Sequence, residues 1–396
     1  MRKLLSSLAN LGVELGFYVT VYFFVQFPHF PLYYQAFGSL IALVCWIFDS
    51  LVSRRIIYKH YPWNYMILAL NCWIWLTMIW SVDPGKTLLY NIVFTNGSIF
   101  MVLLASSFHK KGQMIRIVSF IVLLSAYFAF KAVIPTLPAF VASFRSSASL
   151  ADKVLFRTTG LERIKSSMGD ANSVGGLYAL LIALLLPLLL FGLRGHPTNY
   201  HWSVKGAILL GKILLLVLGF ALIALFIVTL LMSASRGAML GLVGSLIIIF
   251  LIQNHWASNV TYTVLLGTGL LFPTFRFMLY SLYVGIVDET RYVIFQNAWE
   301  VFKMVPFTGI GLGNFDKAYW YYFHETFNHA HNIYLNTAVE LGLPGLILFT
   351  MLGASFVYFG IVYAKQQKDP LFYAINVSLV SVVFGFLIRC LVDYTI

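Results

Sequence analysis

The chain has 396 residues, of which 60% are hydrophobic, 17% aromatic and only 10% charged, and its mean hydropathy is +0.85. A soluble domain carries roughly 25% charged residues, so this composition excludes a soluble enzyme, a secreted disulfide scaffold and a disordered chain. It leaves an all-α, polytopic transmembrane bundle. The net charge of +12 points to loops kept on the cytoplasmic side rather than to nucleic acid, because Lys and Arg resist translocation.

Apolar runs of about 20 residues predict spans near 8–27, 32–48, 63–81, 88–107, 115–137, 173–193, 206–231, 237–252, 261–282, 343–363 and 370–390. That is eleven, within an expected bundle of about 11–12 spans that forms a single membrane domain over residues 1–396. Arg2 and Lys3 precede the first run without a small-residue cleavage site, so it reads as an anchor and not a cleaved signal. With the N-terminus inside, the inner loops hold Arg54, Arg55 and Lys59, then Lys110, Lys111 and Arg116, then Arg194 and Lys205, then Lys365 and Lys368. The short outer turns hold almost none, only Lys86 in 82–87. Cys45, Cys72 and Cys390 all lie in apolar stretches and suggest neither a disulfide framework nor a zinc site.

Two outer segments are too long for turns. Residues 138–172 carry Arg145, Lys153, Arg157, Arg163 and Lys165, and residues 283–330 carry Arg291, Lys303 and Lys317. A basic surface beside the bilayer suits an anionic, lipid-linked ligand. The second segment is also aromatic (Phe307, Phe315, Tyr319 to Phe323), as befits chain lying on the membrane interface.

Three motifs follow in chain order. Ser233-Ala234-Ser235-Arg236-Gly237-Ala238 joins two spans at their outer ends. Its small residues permit close approach to backbone, and Arg236 reads either as a phosphate clamp or as a side chain snorkelling to headgroups. Next, Thr290 is a helix cap for a stretch with Arg291 in its first turn and an apolar stripe of Phe295, Ala298, Trp299 and Phe302. A local pair with Asp288 is the alternative for Arg291. This helix leads into Gly309-Ile310-Gly311-Leu312-Gly313-Asn314-Phe315, a flexible turn and poor evidence for a nucleotide loop because no strand precedes it. In the third motif, His329 to Gly345, Asn328 is the predicted cap, His331 falls in the first turn, and Gly342 with Pro344 closes the helix. A helix N-terminus attracts phosphate and favours neutral imidazole, so His331 suits a general base. The alternatives are a plain interfacial histidine, or a metal site from His324, His329, His331 and Glu325 whose spacing matches no standard zinc pattern.

Taken together in this order, these segments resemble the O-antigen ligase and polymerase superfamily of bacterial inner-membrane proteins. The match is carried by Ser235–Ala238, by Arg291 leading into GIGLGNF, and by HAHNIYLNTAVELGLPG over 329–345. The core region is 232–365, with Trp80–Pro84 and Gly169–Asn172 as weaker matches. The resemblance implies a glycosyltransferase that moves a glycan from undecaprenyl pyrophosphate to an acceptor hydroxyl at the periplasmic face. The acceptor would be lipid A-core for a ligase, or another lipid-linked glycan for a polymerase. By position, Arg236 and Arg291 would hold the pyrophosphate, and His331 would be the general base. Arg157, Arg163, Asn332 and Tyr334 would contact substrate. Neither cofactor nor metal is implied, and no Asp-x-Asp motif is visible; membrane lipids are the remaining partners. A transporter is the rival of a different class, kept open by Glu14, Lys131 and Lys212 within apolar spans.

Overall fold

A computed structural model describes residues 2–26, 32–54, 56, 58–108, 110–146, 164, 170–192, 202–253 and 289–393. Regular structure in these residues is helical: α1 (Arg2–Gln26), α2 (Leu32–Ser53), α3 (Trp63–Leu76), α4 (Pro84–Ser107), α5 (Lys111–Ser146) and α6 (Ala171–Phe191) come first. They are followed by α7 (Trp202–Ser233), α8 (Arg236–Ile252), α9 (Glu289–Met304), α10 (Phe315–Phe323), α11 (Ile333–Gln366) and α12 (Pro370–Arg389). Among the described residues, 7 helices are long and apolar enough to cross a membrane, with shorter apolar helices at Phe37–Ser53 and Arg236–Ile252. The protein is thus an all-α, multi-pass membrane protein. The predicted span near 261–282 lies outside the described residues.

The chain folds into two compact units. The first takes Met1–Ser125 and Val293–Leu352. In it α1 packs on α2, α2 on α4, and α3 on α4. Lipid supplies no hydrophobic drive between helices, so small residues and polar bridges must hold them. Gly16 shows this: a Cβ there would sit 2.7 Å from the amide of Ala42. Polar pairs then cross-link the helices, as in Asn10 to Asp49 (2.9 Å), Ser39 to Asn96 (2.9 Å) and Asn71 to Ser98 (3.0 Å). Glu14, one of the charges that favoured a transporter, is buried and gripped by both Nε and Nη2 of Arg116 at 3.1 and 2.6 Å. Paired in this way it acts as a structural strut.

The second unit takes Ala126 onward of α5, the chain between Asp170 and Tyr292, and Gly353 onward. Its centre is α6, α8 and α12, with α7 against α6. Gly241 of α8 meets Gly385 of α12, where a Cβ would lie 2.8 Å from the Gly385 carbonyl. Ser245 donates to the Ser381 carbonyl at 2.9 Å, and Ser378 to the Leu184 carbonyl at 2.7 Å. Phe191, Ile248, Ile249, Ile252, Val377 and Val380 fill the space beside them.

Candidate active site

In the first unit, one end is built by α3, α4, α9, α10 and α11. Beyond α3 the chain tightens to a 3-10 turn (Thr77–Trp80), Ser81 is extended, and Asp83 caps α4 by accepting from the Lys86 amide at 3.1 Å. Against this turn runs the glycine loop, with Gly309, Gly311 and Gly313 all at positive φ. The sequence expectation of a flexible turn is corrected here, because the loop is pinned on both sides. Val82 N–H donates to the Ile310 carbonyl (3.0 Å), Ile310 N–H to Val339 (3.1 Å) and Gly311 N–H to Glu340 (2.9 Å).

The helix carbonyls that receive these bonds are released by the break in α11. Pro344 has no N–H for the Glu340 carbonyl. Gly342 sits at φ 67, ψ −175, and Leu343 N–H turns away to the Pro306 carbonyl at 2.7 Å. The predicted break at Gly342 and Pro344 is therefore present, and it serves as the seat of the glycine loop. A Cβ on Gly309 would lie 2.5 Å from the carbonyl carbon of Glu340, and one on Gly342 would lie 2.6 Å from that of Phe307. Asn314 closes the loop from inside. It is fully buried, and its Nδ2 reaches Ser81 Oγ (2.9 Å), Thr87 Oγ1 (2.8 Å) and the carbonyls of Ile310 and Gly311 (both 3.2 Å). Trp80 Nε1 donates to the Thr308 carbonyl at 2.8 Å, and Trp73 Nε1 to the Leu341 carbonyl at 2.8 Å. Outside, Lys86 pairs with Asp316 at 2.6 Å and Lys317 with Asp83.

Two details of α9 differ from expectation. The helix already includes Glu289 and Thr290, so Thr290 is inside it and not its cap. Its buried stripe is Ile294, Ala298 and Val301 with Val305, packed on Phe315, Tyr319 and Val339, while Trp299 is exposed. Both stripes obey helical spacing and share Ala298; the aromatic one is split, because Trp299 is exposed and only tilts against Phe302 (5.1 Å between rings), which packs on the edge of the core that the aliphatic series forms with α10 and α11. Within α10 the aromatics divide as well: Phe315 and Tyr319 are core, whereas Trp320, Tyr321 and Tyr322 are exposed.

The start of α11 is the third correction. The cap is Asn332, whose Oδ1 accepts from Leu335 N–H at 3.0 Å, and the helix begins at Ile333. Asn332 wins over Asn328 because it lies directly before the first helical amides, within reach of the N3 donor. His331 therefore stands one residue before the cap, not in the first turn, in left-handed backbone at φ 51. A non-glycine residue held there is strained, a state found chiefly where the surroundings enforce it. The enforcement comes from its neighbours: Ala330 and Ile333 are buried, and Asn336 Oδ1 accepts from Ala330 N–H at 3.1 Å. Asn332, Asn336 and Glu340 share one face of α11 at four-residue spacing, and Glu340 in turn accepts from Phe315 N–H at 3.3 Å. His329 meets His331 edge to face (4.4 Å), and its Nδ1 accepts from His331 N–H at 3.3 Å. Tyr334 is half-buried against Phe349. Among the described residues no group of three or more His, Cys, Asp or Glu is arranged to hold a metal ion.

In the second unit, one end gathers the starts of α6, α8 and α9 with the end of α12. Ser235 caps α8 by accepting from the Ala238 amide (3.3 Å), which puts Arg236 at the first helical position, half-buried; Ala234 before it is left-handed at φ 50. Asp170 caps α6 by accepting from the Ser173 amide at 2.9 Å. Arg291 is half-buried, and its Nη1 donates to the Val392 carbonyl at 3.1 Å. Asp288, its alternative partner, lies outside the described residues, as do Arg157 and Arg163. The structure thus joins Arg291 to the Arg236 turn through residues 389–393, a segment that sequence reasoning passed over.

Comparison with known families defines the class. Residues 221–350 match the family model described as O-antigen ligase, a stretch that contains Arg236, Arg291 and His331. This match supports a place in the O-antigen ligase and polymerase superfamily and, with it, a glycan-transferase activity. No curated protein matches the sequence.

Proposed function

We propose that the protein transfers a whole glycan from undecaprenyl pyrophosphate to the hydroxyl of a lipid A-core acceptor, in the bacterial inner membrane with its site facing the periplasm. The observation that carries this is that one matched stretch, 221–350, contains both arginines and the histidine. Arg236 and Arg291 bind the pyrophosphate oxygens, the task for which a planar, permanently charged fork is suited. As the acceptor oxygen bonds to the anomeric carbon, the bond from that carbon to the pyrophosphate breaks. The arginines stabilise the charge that grows on the leaving group. His331 takes the acceptor proton, and undecaprenyl pyrophosphate departs. A single displacement of this kind inverts the anomeric centre. Lys and Arg in the predicted inner loops support the orientation.

The test is transfer in vitro with purified protein, a lipid-pyrophosphate glycan, and either lipid A-core or a second lipid-linked glycan as acceptor. Arg236→Ala, Arg291→Ala and His331→Ala are each expected to lose roughly 100-fold or more, the usual scale of electrostatic and general-base contributions. Full transfer by both Arg291→Ala and His331→Ala would sink the mechanism, and elongation of the second lipid-linked glycan alone would assign a polymerase. Because the clamp is built of guanidiniums, transfer is expected to persist in EDTA.

A further inference from the structure

The last helix ends on a charge that the mechanism above leaves unused. Arg389 is the final residue of α12 and is only 4% exposed; Asp393, four residues on, is 5% exposed. Their side chains pair at 3.1 Å, and Arg389 Nη2 also donates to the Asn172 carbonyl at 2.9 Å. Its Nε is buried without a hydrogen-bond partner among the described residues. Two helices are notched to admit this side chain: a Cβ at Gly176 of α6 would lie 2.7 Å from Nη2, and one at Gly241 of α8 would lie 3.0 Å from the Arg389 Cβ. Such a pair is a poor source of stability, since well-packed apolar residues often replace a buried ion pair at no loss. Its geometry is more telling. The turn after Arg389 closes with Val392 and Asp393 N–H on the Arg389 carbonyl, at 3.0 and 3.1 Å. The opposite side of that turn presents the Val392 carbonyl to Arg291 at 3.1 Å. Gly237, next to Arg236, packs on the same two residues, where a Cβ would lie 3.2 Å from Val392 Cγ2 and 3.3 Å from Asp393 Cβ.

We infer that Arg389 and Asp393 are positioning residues for the donor arginines: their buried pair fixes the turn 389–393, on which Arg291 and the Arg236–Gly237 turn are both seated. The inference rests on the reading of Arg236 and Arg291 as pyrophosphate ligands. It also explains why Arg291 is held by a carbonyl. Among the described residues the acceptor is a neutral carbonyl, which orients the guanidinium without cancelling its charge.

The experiment uses the full chain with the lipid-pyrophosphate glycan, and reads KM for donor, KM for acceptor, kcat and thermal melting. Replacing the pair by apolar residues, Arg389→Met with Asp393→Leu, is expected to preserve melting while raising donor KM roughly 10-fold to 100-fold, the range for a charge-assisted hydrogen bond. Acceptor KM should stay unchanged. Arg389→Lys, which keeps the charge but loses the fork, should fall between wild type and the double variant. Equal rises in both KM values, or an unchanged donor KM in a folded double variant, would overturn the inference. If the double variant does not fold, Arg389→Lys decides alone: a raised donor KM with unchanged acceptor KM supports the inference, and wild-type values overturn it. Arg291→Ala separates the two layers. If it leaves donor KM unchanged, the donor-arginine reading itself fails; if it raises donor KM and the Arg389 variants do not, only the positioning role fails.

Discussion

The end of the first unit and the end of the second hold their cations differently. In the first, Lys86 and Lys317 are matched one for one by Asp316 and Asp83. Beneath them the glycine loop and the His331 segment are held by neutral bonds from Asn314, Asn332 and Asn336. In the second, Arg389 and Asp393 form a buried pair, and the half-buried Arg291 donates to a main-chain carbonyl.

The sharpest way to break this contrast is to remove one cation of each kind. Arg291→Gln is expected to lower transfer roughly 100-fold or more, with melting almost unchanged. Lys86→Gln and Lys317→Gln should each change transfer less than about threefold, since half-exposed ion pairs are worth little. Equal losses from the two kinds would show that the arginine reading rests on general surface charge. Salt gives a parallel check: raising ionic strength should raise donor KM while leaving melting nearly constant.

The next effect in size concerns the scaffold alone. Gly309→Val should abolish folded protein or lower melting by many degrees. Its Cβ would collide with main chain of α11, where nothing can swing aside, and its φ of 67 disfavours a β-branched residue. Asn314→Ala should cost about 1–3 kcal/mol, the range for leaving buried partners unsatisfied, visible as a lower melting temperature. If either variant melted like wild type, the pinned-loop description would be wrong.

Much of this was legible in the sequence, for reasons that separate residue by residue. Apolar run length found the helices because lipid demands it. The Gly342–Pro344 break was legible because both residues act on their own backbone. Asn332 was not preferred over Asn328, since both are good caps and only the packing of Ala330 and Ile333 selects between them. The α9 stripe went to the aromatic series because periodicity cannot tell which of two overlapping faces finds a partner. Trp80–Pro84 gave a weak match whose purpose, a seat for the glycine loop, depends on partners more than two hundred residues away in sequence. Arg389 gave no signal at all: an arginine ending an apolar span reads as a snorkelling anchor. Only its partners Asn172 and Asp393 and the glycine notches set it apart.

The smallest effect expected is in the outer ion pairs, and its sign follows from the proton balance. The hydrogen bond from Lys317 and the backbone amide of Lys86 hold the Asp83 carboxyl below its ordinary 3.8. A carboxyl whose folded value is depressed binds fewer protons in the folded protein than in the unfolded chain around that pH. Its contribution is therefore complete above the unfolded value and is lost as pH falls through the folded one. Melting of wild type and Asp83→Asn should differ by a small, constant amount from neutral pH down to about 5, and the two curves should converge below about 4 as the wild-type carboxyl takes up its proton. The same substitution also tests the cap of α4, because an asparagine oxygen still accepts from the Lys86 amide while losing the charge that attracts Lys317. A difference that grew with acid would mean that Lys317 is not the partner that matters, and the matched-charge account of the first unit would lose its simplest member.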